Sequence, residues 1–279
     1  MIPFNFIYYR PDTLKEAADI FSALKSQGKA VVYYAGGSEI ISMCRTGSIQ
    51  PEAVIDIKNI PECRILSVDK ERLHIGSVCT LSQISESKLF PLMSLACGRI
   101  ADHTNQCRIT LGGNLCGTII YRETSLPLLL SGADIMLYGP EGIRTVPFGS
   151  VFHERMGMKP GEMIVQVHVP VWTLSARYSH IKKTANEKID YPLVSVAALW
   201  KEDNLRIAFS GICSYPFRSE EIEDALNERT KPIEERIKQA MGLLPEPAYA
   251  DGEGAGEYRL FVLENVLNEL LEDWENGAI

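Results

Sequence analysis

The sequence predicts an α+β protein in two parts, a larger one over residues 1–172 and a smaller one over residues 176–279. Three observations predict it. Short β-branched and aromatic runs alternate with stretches whose apolar residues recur at helical spacing. Two glycine pairs, Gly36-Gly37 and Gly112-Gly113, stand at the ends of hydrophobic runs in the first part. An alternating strand over residues 163–169 is closed by Pro170, which has no N–H to continue a ladder, and the boundary falls between Val171 and Ala176.

Residues 13–27 read as a helix, because Leu14, Ala17, Ala18, Phe21 and Leu24 fall on one stripe. Thr13 and Glu16 have capping-box spacing, and Gly28 ends the last turn. Residues 31–34 form a short strand that runs into Gly36-Gly37, and residues 53–57 form another. Residues 64–68 and 73–77 bracket the polar Asp69-Lys70-Glu71 and make a hairpin. Thr80 and Gln83 give a second capping box, which opens a helix running to Ala96. Residues 98–110 are polar and without period, and they deliver the second glycine pair.

Residues 125–130 begin a short helix with Pro127 tolerated in its first turn. Residues 134–138 return to strand, and Gly139-Pro140-Glu141-Gly142 is a turn. In the second part, strands are expected near 177–183, 193–200 and 205–210. Helices are expected over 219–228 and beyond Pro232, with a glycine-rich loop over 252–256. A final helix carries the apolar stripe Leu260, Leu263, Leu267, Leu270 and Trp274, supplemented by Val266 and Leu271.

Composition narrows the function classes. The chain is 46% hydrophobic and 23% charged, a globular balance. Its 28 Lys and Arg against 36 Asp and Glu give a net charge of −8, which argues against binding along a nucleic-acid backbone. No run approaches the roughly 18 apolar residues of a membrane span. The opening residues carry no basic segment followed by an apolar core, so a cytoplasmic protein is expected. Seven scattered cysteines contain no CxxC pair, so neither structural zinc nor an iron–sulfur cluster is expected on this chain.

Glycine pairs let backbone approach a ligand or adopt a turn that a Cβ would block. Neither pair has the GxGxxG spacing of a Rossmann dinucleotide site. Five segments together carry a resemblance: Tyr8-Tyr9-Arg10-Pro11-Asp12-Thr13-Leu14, Ala35-Gly36-Gly37-Ser38-Glu39, Thr110-Leu111-Gly112-Gly113-Asn114, Gly161-Glu162-Met163-Ile164-Val165 and Gly256-Glu257-Tyr258-Arg259. With them the chain resembles, over nearly its whole length, the FAD-binding medium subunit of the molybdenum hydroxylases, of the xanthine dehydrogenase and aerobic carbon monoxide dehydrogenase type.

The resemblance implies a PCMH-type (vanillyl-alcohol-oxidase-type) FAD-binding domain with two α/β subdomains over 1–172. It also implies a small C-terminal domain with an antiparallel sheet over 176–279. It implies one FAD and two partners: a large subunit with the molybdenum cofactor, where substrate is oxidised, and a small subunit with [2Fe-2S] clusters. FAD then passes electrons to NAD or another acceptor.

The site residues implied are Tyr33, Tyr34, Ala35, Gly36, Gly37, Ser38 and Glu39 for the pyrophosphate, with Glu39 orienting its neighbours rather than meeting phosphate, since like charges repel. Thr110, Gly112, Gly113 and Asn114 form the second FAD segment. Glu123 stands where the family uses an aspartate toward ribose or adenine, and it reads equally as a helix-start acid beside Ser125. Lys182 or Lys183, near His180, reads as a partner of the flavin or of a pyridine nucleotide, or as a solvated surface lysine. Tyr191 reads as a ring contact or as a domain-interface tyrosine. His103 and His153 receive no role.

The chain departs from the family pattern at two places. Asn105-Gln106-Cys107-Arg108-Ile109-Thr110 replaces an Ile-Arg-Asn-x-Gly-Thr approach, and Thr118-Ile119-Ile120 replaces Ala-Ser-Pro. These departures keep two alternatives open: a self-contained FAD oxidoreductase, and a nonredox assembly subunit with a degenerate pocket.

Overall fold

The computed structural model describes residues 1–186, 189–245 and 247–278. Three sheets organise it. In the first, β1 (Ile7–Tyr9) and β2 (Val31–Tyr34) pair in parallel with the central β3 (Ala53–Asp56). Parallel neighbours need crossover connections, and the helices Leu14–Ser26 and Ser38–Thr46 provide them. The second sheet is antiparallel, in the order β4-β5-β8-β6-β7, from β4 (Leu66–Val68), β5 (Arg72–Gly76), β6 (Asp134–Gly139), β7 (Gly142–Pro147) and β8 (Met163–Pro170). The third is antiparallel, in the order β12-β11-β10-β9, from β9 (Tyr178–Thr184), β10 (Pro192–Lys201), β11 (Asn204–Ser210) and β12 (Phe217–Arg218).

Strand β8 joins two cores. Met163 and Val165 bury with Leu14, Ala17, Val31 and Ile55 around the first sheet. Ile164, Val167 and Val169 bury with Leu73, Ile75, Ile135 and Leu137 beneath the second. The parity change comes from the register: Leu137 pairs with Ile164 and Met136 with Gln166, which leaves Val165 as an extra residue. A third core lies under the third sheet. There the helix Gly256–Glu275 buries Leu263, Val266, Leu267, Leu270, Leu271 and Trp274, and Trp274 meets Trp200 edge-on at 5.7 Å. Leu260 is only half-buried.

Several expectations are corrected. The single helix over 80–96 is two, Leu81–Ser87 and Pro91–Cys97. Lys88 turns left-handed at φ 54, and Pro91 holds Phe90 extended, so the first helix cannot continue. The stretch taken as irregular contains the short helix His103–Gln106, capped by Asp102. The second glycine pair is not in a loop but inside the helix Leu111–Cys116. β1, β7 and the helix Ser38–Thr46 are additional elements. The Thr80–Gln83 capping box forms in both directions, whereas at the first helix only the Thr13 side chain caps Glu16 N, and Glu16 reaches back to the N–H of Asp12 rather than to that of Thr13.

Among the described residues no helix is long and apolar enough to cross a membrane. No three His, Cys, Asp or Glu side chains among them are placed to hold a metal.

Candidate functional site

A cleft of about 700 Å³ runs from the end of β2, past the helix Leu111–Cys116, to Lys182 on β9. Tyr33, Tyr34, Ala35, Gly36, Gly37, Ser38, Glu39, Thr110, Gly112, Gly113, Asn114, Glu123 and Lys182 all line it.

The first glycine segment is shaped from below by Lys58. Its ammonium lies 4.4 Å from the Tyr34 ring centroid, donates to Ala35 O at 3.0 Å and pairs with Asp56 at 2.7 Å. Tyr8 donates its hydroxyl to the same carboxylate, which pushes the phenol up to about 12. Gly37 is left-handed (φ 75), and a Cβ there would come 2.4 Å from the Tyr34 ring. At Gly36 a Cβ would come 1.9 Å from Arg108 O. The first pair thus lets its backbone rest on the approach to the second segment.

Gly37 then caps the helix Ser38–Thr46 without any side-chain hydrogen bond. The first intrahelical bond runs from Ile41 N to Gly37 O, so the N–H groups of Ser38, Glu39 and Ile40 have no intrahelical partner. Here the cleft meets open donors at the positive end of a helix.

The second glycine segment differs. Leu111 N donates to Cys79 O, Gly112 N to Ser77 O and Gly113 N to Thr110 Oγ1, at 2.9, 2.8 and 3.2 Å. Its leading amides are spent within the protein, so it offers the cleft a close surface and side chains. Gly112 is tight against Ser77, whose Cβ would lie 2.9 Å from an added Cβ. Asn114 Oδ1 accepts from Thr124 Oγ1 at 2.6 Å and fixes the approach to the helix Ser125–Ser131. Glu39 Oε1 accepts from both the N–H and the hydroxyl of Thr118, at 2.8 and 2.5 Å, and thereby ties the first segment to the stretch after the second.

Residues 121–123 also line the cleft. Tyr121 stacks on Tyr191 at 5.1 Å and donates to Asp251 Oδ2 at 2.5 Å. Glu123 is buried, which pushes its carboxyl up, and Lys182 opposes that shift from 3.1 Å. Lys182 is therefore not a solvated lysine; it also donates to Arg99 O at 2.8 Å. Lys183 lies outside the cleft lining, pairing with Glu269 at 3.2 Å.

His180 sits behind the pair rather than in the cleft lining. Arg99 donates to its carbonyl at 2.5 Å, and Ser195 Oγ lies 3.3 Å from its Nε2. Burial, reinforced by Arg99 and Lys182, lowers His180 to about 3, so it is neutral. His103 and His153 are exposed; His103 Nε2 lies 3.6 Å from Cys107 Sγ.

The cleft also includes residues that sequence reasoning passed over: Ser77, Tyr121, Arg122, Met158 and residues 162–164. The charged pair Arg122-Glu123, set just before an apolar helix, was the available signal. For the others the chain offers none, since their place depends on how β5 and β8 pass beneath the glycine segments.

The whole arrangement suits a long, amphipathic ligand with an anionic middle: apolar walls, one row of open amides and a few buried charged groups. Residues 3–172 match the family described as the FAD binding domain in molybdopterin dehydrogenase. The carbon monoxide dehydrogenase medium chain of Hydrogenophaga pseudoflava is 26% identical over 234 residues, covering 79% of this chain and 79% of that one. The caffeine dehydrogenase subunit beta of a Pseudomonas species is 26% identical over 238 residues, covering 81% and 79%. Two solved structures share the fold. Carbon monoxide dehydrogenase from H. pseudoflava superposes with TM-score 0.86 at 24% identity over 96% of both chains. Quinoline 2-oxidoreductase from Pseudomonas putida 86 superposes with TM-score 0.86 at 20% identity over 99% and 98%.

Proposed function

This chain belongs to the family of FAD-binding domains of molybdopterin dehydrogenases, and from that membership we propose that it is the FAD-binding electron-transfer subunit of a molybdenum hydroxylase complex. The observation that carries the reading is the convergence on one cleft of the uncapped start of the helix Ser38–Thr46, the second glycine segment and the buried Glu123–Lys182 pair.

The residues present fit FAD. Open N–H groups at residues 38–40 and the Ser38 hydroxyl suit the diphosphate. Among the described residues Glu123 Oε1 has no hydrogen-bond partner, and it suits a ribose hydroxyl or an adenine amine. Thr110, Gly112, Gly113 and Asn114 give the flavin half a rigid wall. When bound, FAD supplies the electron-carrying chemistry, while the chain positions it and excludes water, and Lys182 opposes the upward shift that burial gives Glu123.

In this reading residues 1–172 form the cofactor domain, and residues 176–279 form the domain whose β9 brings Lys182 to the cleft. A large subunit holds the molybdenum cofactor and oxidises the organic substrate. A small subunit with [2Fe-2S] clusters delivers electrons, and NAD or another acceptor removes them.

Anaerobic purification of the native assembly, with cofactor analysis and acceptor tests, checks the proposal. Stoichiometric FAD together with a molybdenum subunit and an iron–sulfur subunit is expected. Full substrate turnover by this polypeptide alone would point instead to a self-contained FAD oxidoreductase.

A further inference from the structure

Three arginines are buried among the described residues: Arg122, Arg236 and Arg259. Two are fully provided for. Arg236 meets Glu275 and Leu226 O. Arg259 meets Asp251 and the carbonyls of Pro192, Leu193 and Gly211. Among the described residues Arg122 has no carboxylate in contact. Its Nη2 donates to Glu154 O at 2.6 Å, its guanidinium lies 5.3 Å from the Phe152 ring centroid, and its Nε and Nη1 make no hydrogen bond although both are buried. Its backbone is also strained, with φ 24 in a residue that carries a Cβ.

A buried cation without a counter-charge is unfavourable, and a strained backbone persists only where its surroundings hold it. Arg122 lines the cleft. Its electrostatic neighbours there include Glu39 and Cys116, and Glu39 belongs to the segment where Ser38, Glu39 and Ile40 present open N–H groups. Glu39 is already occupied by Thr118, and the exposed Arg155 adds further positive charge nearby. This end of the cleft thus sets open N–H donors and the Arg122 and Arg155 guanidiniums against the carboxylate of Glu39.

We infer that Arg122 is a cofactor-positioning residue whose guanidinium neutralises the diphosphate of the nucleotide bound in the cleft, through the Nε and Nη1 donors that no protein group uses. The inference rests on the reading that the cleft takes FAD. Nε and Nη1 lie on different edges of the guanidinium, so each offers one charge-assisted N–H to a phosphate oxygen.

The test titrates the full chain, freed of flavin, with FAD, riboflavin and ADP, for the wild type, Arg122→Met and Arg122→Lys. Arg122→Met is expected to weaken FAD and ADP by about tenfold or more, as loss of a charge-assisted contact predicts, and to leave riboflavin unchanged. Arg122→Lys should fall between, and it carries the comparison if the Met variant does not fold. The ligand-free Met variant should melt no lower than the wild type, because an unpaired buried charge has been removed.

Equal loss for riboflavin and FAD, or a ligand-free variant that melts well below the wild type with undiminished FAD affinity, would overturn the assignment in favour of a purely structural arginine. Wild-type chain that binds ADP but not FAD would overturn the flavin reading while still testing Arg122 against the same diphosphate. Wild-type chain that binds neither would overturn both.

Discussion

Lys182 Nζ on β9 stands 3.1 Å from Glu123 Oε2 on the opposite wall of the cleft, and each side chain is only 4% exposed. The pair ties the third sheet to residues 3–172, the stretch that matches the FAD-binding family. Lys182→Met leaves the carboxylate buried without its counter-ion and is expected to destabilise the fold by about 3–5 kcal/mol. Replacing both residues by apolar ones should recover most of that loss, which a double-mutant cycle by chemical denaturation reads directly. Burial raises Glu123 in the folded state, so its contribution is fully present below the unfolded carboxyl pKa and is lost as pH rises. Without Lys182 the rise is larger, and the deficit of the single variant should therefore shrink on acidification.

His180 predicts a second pH dependence, of opposite sign. Its folded-state pKa is lowered from 6.5 to about 3, so its contribution is fully present above the unfolded value and is lost as pH falls through that interval. Between these limits it adds at most about 1.4 kcal/mol of instability per pH unit. His180→Asn should flatten the stability profile between pH 6 and 4, measured by denaturant midpoints. A profile as steep as that of the wild type would assign the acid sensitivity to other groups.

The glycines should separate cleanly. Gly36→Ala drives a Cβ against the Arg108 carbonyl and is expected to destabilise by about 1–3 kcal/mol with or without cofactor. Gly113→Ala meets only Thr110 Oγ1, at 3.0 Å, inside a helix that favours alanine, so its melting temperature should stay near that of the wild type. A Gly36 variant as stable as the parent would mean that the contact with Arg108 is not maintained in solution.

Ile119 lines the cleft, whereas the cleft lining does not include Ile120. Ile119→Ser should therefore alter the absorption spectrum or reoxidation rate of bound flavin at saturating FAD, and Ile120→Ser should alter neither. Identical behaviour of the two variants would place the flavin ring away from this segment.

Much of this architecture is readable from local chemistry. The Thr13 and Thr80 caps, the β-branched run at Val31 and the leucine stripe of the last helix are determined by neighbours within a few residues. What escapes is determined at long range. Gly112 and Gly113 suit a loop by propensity, yet they lie in a helix because Ser77 and Cys79 accept the amides that begin it. Residues 38–46 follow directly on a glycine pair, whose turn character masks the helix that begins there, and Cys44 alone among them is fully buried. The residues proposed for the cofactor were legible through family motifs. Arg122 was not, since its significance lies in an absence of partners that only the folded chain displays.

The contact between Gly36 and Arg108 has a consequence for biosynthesis. These residues are 72 positions apart (108 − 36), and Lys182, which completes the same cleft, comes later still. When the first glycine pair leaves the ribosome, the backbone it must rest against has not been translated. The cleft is therefore assembled from segments made far apart in time, and its lining is complete only once residues as late as Lys182 and Tyr191 have been added.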